Sequence, residues 1–327
     1  MREAVVAGYT EGKSFAGQDL TGADLSNLDL KNIDLKDAML EGANLSGADL
    51  SGADLSGCVL ARADLTGARF LGAKMAEACL GAANITRTNL SGAELSKAAF
   101  GKADLTDADL SGTTMDGADF MEAKLPGATL SRATLKETLF YENDLSRAVF
   151  EEADLSRSQF INATIEEADF SGAKLGSAIF IGVRAAKTVF KGADMTKACA
   201  ANEASFAGAD LRGALLNQAG LRGSDFSGAN FEQAKLEMAD LSECNLKGAN
   251  FYRASARQAR FEKSDLEGAN MVSINLFEGS LQKARLVTTD LRGANLYGAE
   301  VFRAVFGETN LQGANLKKTK IEKWAPQ

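Results

Sequence analysis

Residues 43–57 read Ala43-Asn44-Leu45-Ser46-Gly47, Ala48-Asp49-Leu50-Ser51-Gly52, Ala53-Asp54-Leu55-Ser56-Gly57, one five-residue phrase written three times. Leucine returns at every fifth position, a period that suits neither an α-helix (3.6) nor a flat strand (2). Working outward, the same beat starts at Phe15 and runs through Leu20, Leu25 and Leu30 to Met195 and Ala200. It slips by one residue across Ala201-Asn202-Glu203-Ala204-Ser205 and resumes at Phe206, Leu211 and Leu216, ending at Ile321. The two blocks hold 38 and 24 units, so the array fills almost the whole of the 327 residues. A period this short and this sustained marks a solenoid rather than a pair of ordinary domains.

With the apolar centre called i, position i−2 is mostly Ala (Ala23, Ala43, Ala48), sometimes Cys58, Thr88 or Ser224, and i−1 favours Asp or Asn. Position i+1 favours Ser, Thr, Lys or Arg, and i+2 favours Gly. Side chains of an extended segment alternate between faces, so i and i−2 point one way and i−1 the other. Two residues of each unit are inward and three outward.

The phrases Ala23-Asp24-Leu25-Ser26-Asn27, Ala53-Asp54-Leu55-Ser56-Gly57 and Ala294-Asn295-Leu296-Tyr297-Gly298 match A-(D/N)-L-x-x, and on them the chain resembles the pentapeptide-repeat family from about residue 14 to 323. The resemblance implies an all-β fold, a right-handed quadrilateral parallel β-helix with four units per coil. Residues 20 apart should then stack. Phenylalanine supports this separately: Phe100, Phe120, Phe140, Phe160 and Phe180 keep that spacing, as do Phe150, Phe170 and Phe190, and only Phe277 and Phe302 fall off the centres. Coils about 4.8 Å apart give about 15 coils and a rod roughly 75 Å long with a filled bore. Ala185 and Ala256, small centres between Phe neighbours, read as volume compensation. A single repeat domain is expected over 14–323, with a bulge near 201–205. Caps are expected at both ends, 1–13 at the N-terminus and 324–327 with Trp324 at the C-terminus, because solenoid ends expose strand edges.

Composition excludes much chemistry. No histidine occurs, which removes Ser-His-Asp and Cys-His catalysis and His-ligated zinc. Cys58, Cys79, Cys199 and Cys244 have neither CxxC spacing nor a cluster, so free thiols are expected and no metal. No apolar run approaches the roughly 20 residues of a bilayer span, and the first residues lack a signal-peptide core, so a cytoplasmic protein is expected, with export only by a route without a cleaved signal. Ala7-Gly8-Tyr9-Thr10-Glu11-Gly12-Lys13-Ser14 loosely matches a phosphate-binding loop, but a β array rather than a helix follows the lysine, and no nucleotide or other cofactor is expected. Acid groups such as Glu151, Glu152 and Asp154, or Glu166, Glu167 and Asp169, belong to outward faces of a convex solid and do not converge as catalysis requires. No enzymatic activity is expected.

Two surface features remain. Residues 1–120 hold 18 acidic against 10 basic residues, while 121–327 hold 26 of each, so the net charge of −8 lies in the first third. That sign disfavours direct nucleic-acid binding. The resemblance implies an alternative role, a DNA mimic that inhibits or protects DNA gyrase or another DNA-binding enzyme, for which Asp24, Asp29, Asp49 and Asp54 are the candidate residues. Lys74, Arg62 and Arg69 interrupt this acidity. The second feature is apolar: beside centres 40 to 180 the outward positions carry Met39, Val59, Met121, Leu139, Tyr141, Ile161, Ile179 and Ile181, with Ala61, Cys79 and Ala99 between them. Such a stripe marks a contact surface. The expected function is a non-catalytic interaction protein docking another protein, or a second copy, through this stripe and its acidic end. The resemblance adds a bacterial secretion-system adaptor or effector as one setting for that role.

Overall fold

A computed structural model describes residues 1–321, so Trp324 and the C-terminal cap expected around it lie outside the described residues. Every five-residue unit folds alike. The centre's carbonyl accepts the N–H three residues on, as from Ala48 to Leu45 (3.0 Å) and from Ala53 to Leu50 (3.0 Å). The i+2 residue has positive φ in every unit from 17 to 318. A turn closed this way with positive φ at its third residue is of type II. Glycine fills many of these corners, as at Gly47 (φ 64) and Gly52 (φ 70), but Arg62 (φ 58), Lys97 (φ 57) and Ala82 (φ 54) are held there too. The corner conformation therefore belongs to the repeat and not to glycine.

After each corner the chain is extended for about three residues and pairs in parallel with the next coil. The product is a four-sided, right-handed parallel β-helix. The described residues divide into two compact units, Met1–Gln159 and a second that begins at Phe160. In the first, α1 (Arg2–Thr10) precedes coils in strict 20-residue register, from Asp19 with Met39 to Thr134 with Asp154. In the second, Thr164 pairs with Arg184, but Arg184 pairs with Ser205 and Val189 with Asp210, a 21-residue coil, before the 20-residue register returns at Ser205 with Asp225. The extra residue is absorbed at the corner, where Asn202 (φ 54) and Glu203 (φ 57) are left-handed in succession. The pairing lengthens from single bridges to three-residue strands at β1 (Leu139–Tyr141), β2 (Gln159–Ile161), β3 (Ile179–Ile181) and β4 (Cys199–Ala201), of which β3 pairs with β4.

The bore of each unit is solid. Leu, Phe and Met centres and the Ala at i−2 are almost completely excluded from solvent. In the first unit Phe100 and Phe120 stack at 5.0 Å, and Phe120 and Phe140 at 5.6 Å. In the second, Phe160 stacks on Phe180 (5.1 Å) and Phe170 on Phe190 (5.2 Å). The small centres are spanned by rings meeting edge to face, Phe180 with Phe190 beside Ala185 (6.1 Å) and Phe251 with Phe261 beside Ala256 (5.6 Å). Some polar substitutes at i−2 bond the neighbouring backbone: Thr88 donates to Leu65 O (2.7 Å), and Asn143 Nδ2 to Phe120 O and Ala123 O (both 2.7 Å), whereas the buried hydroxyls of Thr138, Ser158 and Ser224 make no hydrogen bond among the described residues.

Candidate interaction face

With the interior filled, chemistry is confined to the outward i−1, i+1 and i+2 positions. Where i−1 is Asp or Asn, the side chain in most units turns back on its own corner: Asp24 Oδ1 accepts the Ser26 N–H (3.0 Å), and Asn44 and Asp64 do the same for Ser46 and Thr66. This side-chain-to-backbone bond two residues on explains the Asp and Asn preference without any ligand. Asp154 and Asp169 behave alike toward Ser156 and Ser171, and Glu152 pairs with Arg132 (2.9 Å). Asparagines twenty apart form amide ladders, Asn270 to Asn250 to Asn230 and Asn315 to Asn295 to Asn275.

The four acidic candidates are engaged. Hydrogen bonds from the Ser26 hydroxyl and N–H hold the Asp24 carboxyl below the usual range, and Arg2 lies 3.4 Å away. Lys31 bridges Asp29 (3.3 Å) and Asp49 (3.4 Å), and Arg69 also approaches Asp49 (3.7 Å). Burial pulls the Asp54 carboxyl upward, yet Ser56, Lys74 and Lys36 hold it low overall. At the loose phosphate-loop match, helix α1 precedes the Gly12-Lys13-Ser14 run. Lys13 pairs with Glu11 (2.6 Å) and Ser14 Oγ donates to Asp34 Oδ2 (2.5 Å).

One face of the first unit breaks the polar rule. Its i−1 column pairs Asp19, Met39, Val59, Cys79, Ala99 and Asp119 in sequence, apolar between the two aspartates, where neighbouring faces carry Asp, Asn and other polar residues. Met39, Met121, Leu139 and Tyr141 are each more than 40% exposed, Leu139 and Tyr141 flanking buried Phe140 in β1. Between Met39 and Met121 lies a low stretch of half-buried Val59, Ala61, Cys79 and Ala99 with Gly81 and Gly101. Reading the sequence for hydrophobes missed these two glycines. They do not have the positive φ of the corners, and a Cβ on either would meet its nearest atom at an ordinary 3.7 Å. Neither backbone strain nor crowding from within accounts for them. Their signal is glycine at i+1 instead of i+2.

Charges along the rim are satisfied within the chain: Arg62 with Glu41 (3.6 Å), Lys97 with Glu77 (3.3 Å), Lys102 with Glu122 (3.7 Å) and Arg157 with Glu137 (2.8 Å). The Tyr141 phenol is held above its usual value by its hydrogen bond to Glu142 and by that carboxylate's charge. In the second unit Ile161, Ile179 and Ile181 are half-buried. Ile179 and Ile181 flank Phe180 in β3, and Ile181 O accepts the Asn162 N–H (2.7 Å). Exposed Leu71 and Met238 stand outside the apolar column. Burial pushes the Cys58 and Cys244 thiols up to about 12, whereas Cys199 is exposed. Among the described residues no helix is long and apolar enough to cross a membrane.

Comparison with known proteins agrees with this geometry. The family model described as pentapeptide repeats matches eight times, at residues 11–37, 19–57, 43–81, 78–112, 103–140, 144–180, 168–202 and 269–307, and a second, described as a pentapeptide repeat region, matches 193–271. No curated protein sequence matches. Similar solved structures include a thylakoid-lumen pentapeptide repeat protein of Arabidopsis thaliana (32% identity, 29% of this chain and 66% of that one, TM-score 0.29). This chain thus spans just under two thirds of that protein. Others are HetL, involved in heterocyst differentiation regulation in the cyanobacterium Nostoc sp. strain PCC 7120 (23% identity, 96% and 95%, TM-score 0.19), and QnrB1, a plasmid-mediated fluoroquinolone resistance protein (21% identity, 63% and 90%, TM-score 0.27).

Proposed function

The chain belongs to the pentapeptide-repeat family, and from that premise we propose that it is a non-catalytic interaction protein whose first unit docks a partner protein on the face from Met39 to Tyr141. One observation carries the reading: Gly81 and Gly101 sit at outward positions that require no glycine, in a low stretch bounded by exposed Met39, Met121, Leu139 and Tyr141. Glycine without a conformational need suits close approach by something from outside. Five coil spacings of about 4.8 Å make the strip about 24 Å long, the length of a helix of about 16 residues. An amphipathic helix of the partner, its apolar ridge laid along the small residues, is the occupant that fits. Because the rim charges pair within the chain, desolvation of apolar surface supplies most of the affinity.

The test is affinity capture from the native cell with the intact protein as bait. Wild type should recover a partner that Gly81→Lys with Gly101→Lys, and separately Met121→Glu, lose without change in melting temperature, while Lys235→Glu in the second unit retains it. Equal recovery by all the variants would refute the assignment.

A further inference from the structure

Phe277 is one of the two phenylalanines that fall off the centres. In the second unit it stands in an outward i+1 column whose members are twenty residues apart: Arg257, Phe277, Tyr297 and Lys317. The Phe277 and Tyr297 rings stack at 5.3 Å and 2° from parallel, close to the coil spacing of about 4.8 Å. From the coil before, Arg257 Cζ lies over the Phe277 ring (5.0 Å), and from the coil after, Lys318 Nζ lies over the Tyr297 ring (5.1 Å). Each ring thus has one face on the other ring and one under a cation. What they turn outward is their edges, the positive rim of the ring quadrupole.

On the same side of the square, the i−1 column carries Asn275, Asn295 and Asn315 as an amide ladder. Asn295 Nδ2 donates to Asn275 Oδ1 (3.0 Å) and Asn315 Nδ2 to Asn295 Oδ1 (3.1 Å). Asn295 Oδ1 also accepts the Tyr297 N–H, and Asn315 Oδ1 the Lys317 N–H (3.3 Å each). Every ladder oxygen is used, while each amide nitrogen carries a second N–H that the ladder does not need. The acids nearby are engaged: Glu237 Oε1 accepts from Ser255 Oγ (2.5 Å) and Glu278 Oε2 from Gln258 Nε2 (3.2 Å). On other sides of this unit Arg212, Arg222, Lys263 and Arg292 reach carboxylates at 2.5 to 3.1 Å. Among the described residues Arg257 and Lys317 make no ion pair. This side therefore offers cations, N–H donors and positive ring edges, with its acceptors already spent.

We infer that this side of the second unit is a docking surface for an acidic helix of another protein. A surface that only donates is completed by a partner that only accepts, and carboxylates do that with charge of the opposite sign. The spacing selects a helix. Its face repeats every 5.4 Å or so, near the coil spacing, so Asp or Glu once per turn keeps step with the donors. Alternate side chains of a strand fall about 6.8 Å apart and lose step. Arg257 to Lys317 spans three coil spacings, about 14 Å, the rise of about ten helical residues. Nucleic acid fits less well, because bases stack on open ring faces and here the faces are covered. The net charge of −8 also opposes a polymer with one charge per about 1.7 Å. The inference is independent of the apolar face of the first unit, since it concerns the other unit and selects by charge.

The probe is a fluorescein-labelled, alanine-rich helical peptide of about 16 residues with glutamate once per turn on one face, titrated with the full-length protein at low salt and read by anisotropy. Wild type should bind it at least about tenfold more tightly than the same peptide with glutamine in place of glutamate. Arg257→Glu with Lys317→Glu should weaken binding about tenfold. Lys191→Glu with Lys283→Glu, an equal change of net charge on other sides of the unit, should stay within about twofold of wild type. The glutamine comparison needs no variant and so stands whatever a substitution does to folding. Absence of saturable binding by wild type, equal binding of the two peptides, or equal losses in the two folded double variants would overturn the inference. So would a labelled single-stranded DNA of about twelve nucleotides that binds more tightly than the peptide and is lost with Arg257→Glu and Lys317→Glu, which would assign this side to nucleic acid.

Discussion

Replacing Phe120 tests whether the bore is a solid in which each ring is held by those above and below. The side chain is fully buried, 5.0 Å from the Phe100 ring and 5.6 Å from Phe140. Phe120→Ala removes the ring and leaves a cavity that rigid neighbouring coils cannot close, a loss of about 3–5 kcal/mol. Phe120→Leu keeps most of the volume, and leucine already serves in the same column at Leu60 and Leu80, so what it forfeits is chiefly two ring contacts of about 0.5–1.5 kcal/mol each. Its cost should be about 1–3 kcal/mol. Phe70 is the control: it is as deeply buried but has no ring partner among the described residues, and Phe70→Leu should cost less than about 1.5 kcal/mol. Guanidinium unfolding followed by circular dichroism gives the three values. Equal costs for Phe120→Leu and Phe70→Leu would remove the stacking contribution, and a loss under about 1 kcal/mol for Phe120→Ala would show that the bore yields and is not close-packed.

Ala82→Gly should raise stability by about 0.5–1 kcal/mol, because Ala82 is held at φ 54 where L-residues are strained, and Gly92→Ala should lower it by a similar amount; thermal melts decide. Deleting Glu203 should leave folding intact, since it restores the 20-residue register and removes one of two successive left-handed residues, whereas deleting Arg147 should sharply reduce soluble yield. At pH 8 a colorimetric thiol reagent should label Cys199 quickly and reach Cys58 and Cys244, raised to about 12 by burial, only on unfolding. Hydrogen bonds from Arg212 and Arg292 lower the folded-state values of Asp210 and Asp290, so their contribution is present above the ordinary carboxylate value and lost as pH falls through the lowered one. With no histidine, denaturant midpoints should stay level from pH 5 to 8 and fall below about pH 4.

The period of five and the spacing of Phe100, Phe120 and Phe140 placed the coil and its filling in the sequence, because a bore with one inward centre per side leaves little freedom in which residue goes where. The one-residue slip was legible for the same reason. What the sequence concealed was conformational and lateral. Arg62, Lys97 and Ala82 gave no sign of a left-handed corner, since the turn's closing hydrogen bond and the next coil impose it over their own preference. Gly81 and Gly101 passed as ordinary repeat glycines because attention fell on hydrophobes, and only φ separates an i+1 glycine from one at a corner. The first residues read as a lid, but that Arg2 and Tyr9 reach the carbonyls of Asp24, Ser26 and Lys31 depends on a helix whose placement no periodicity encodes.

The same stacking that simplifies the core disciplines the surface charge. Residues twenty apart sit about 4.8 Å from one another, and at that distance two carboxylates repel by about 1 kcal/mol even in water and by several at the effective dielectric of a protein surface. One face of the first unit avoids the cost by alternation, pairing Asp24 with Asn44, Asn44 with Asp64, Asp64 with Asn84 and Asn84 with Asp104. Elsewhere Asp29 stacks on Asp49, and Lys31 bridges them. Asp34 stacks on Asp54, and Lys74 follows at the next step. The acidic surplus is therefore broken into neutral or bridged steps and does not form the unrelieved row of negative charge that DNA presents, one charge per about 1.7 Å of axis. A partner meeting these faces encounters hydrogen-bonded amides, hydroxyls and internal ion pairs, already satisfied. The Met39 to Tyr141 face, broken by Asp119 in the same column, exposes more apolar surface than these faces do, and for the docking proposed above displacing water there is the larger available gain.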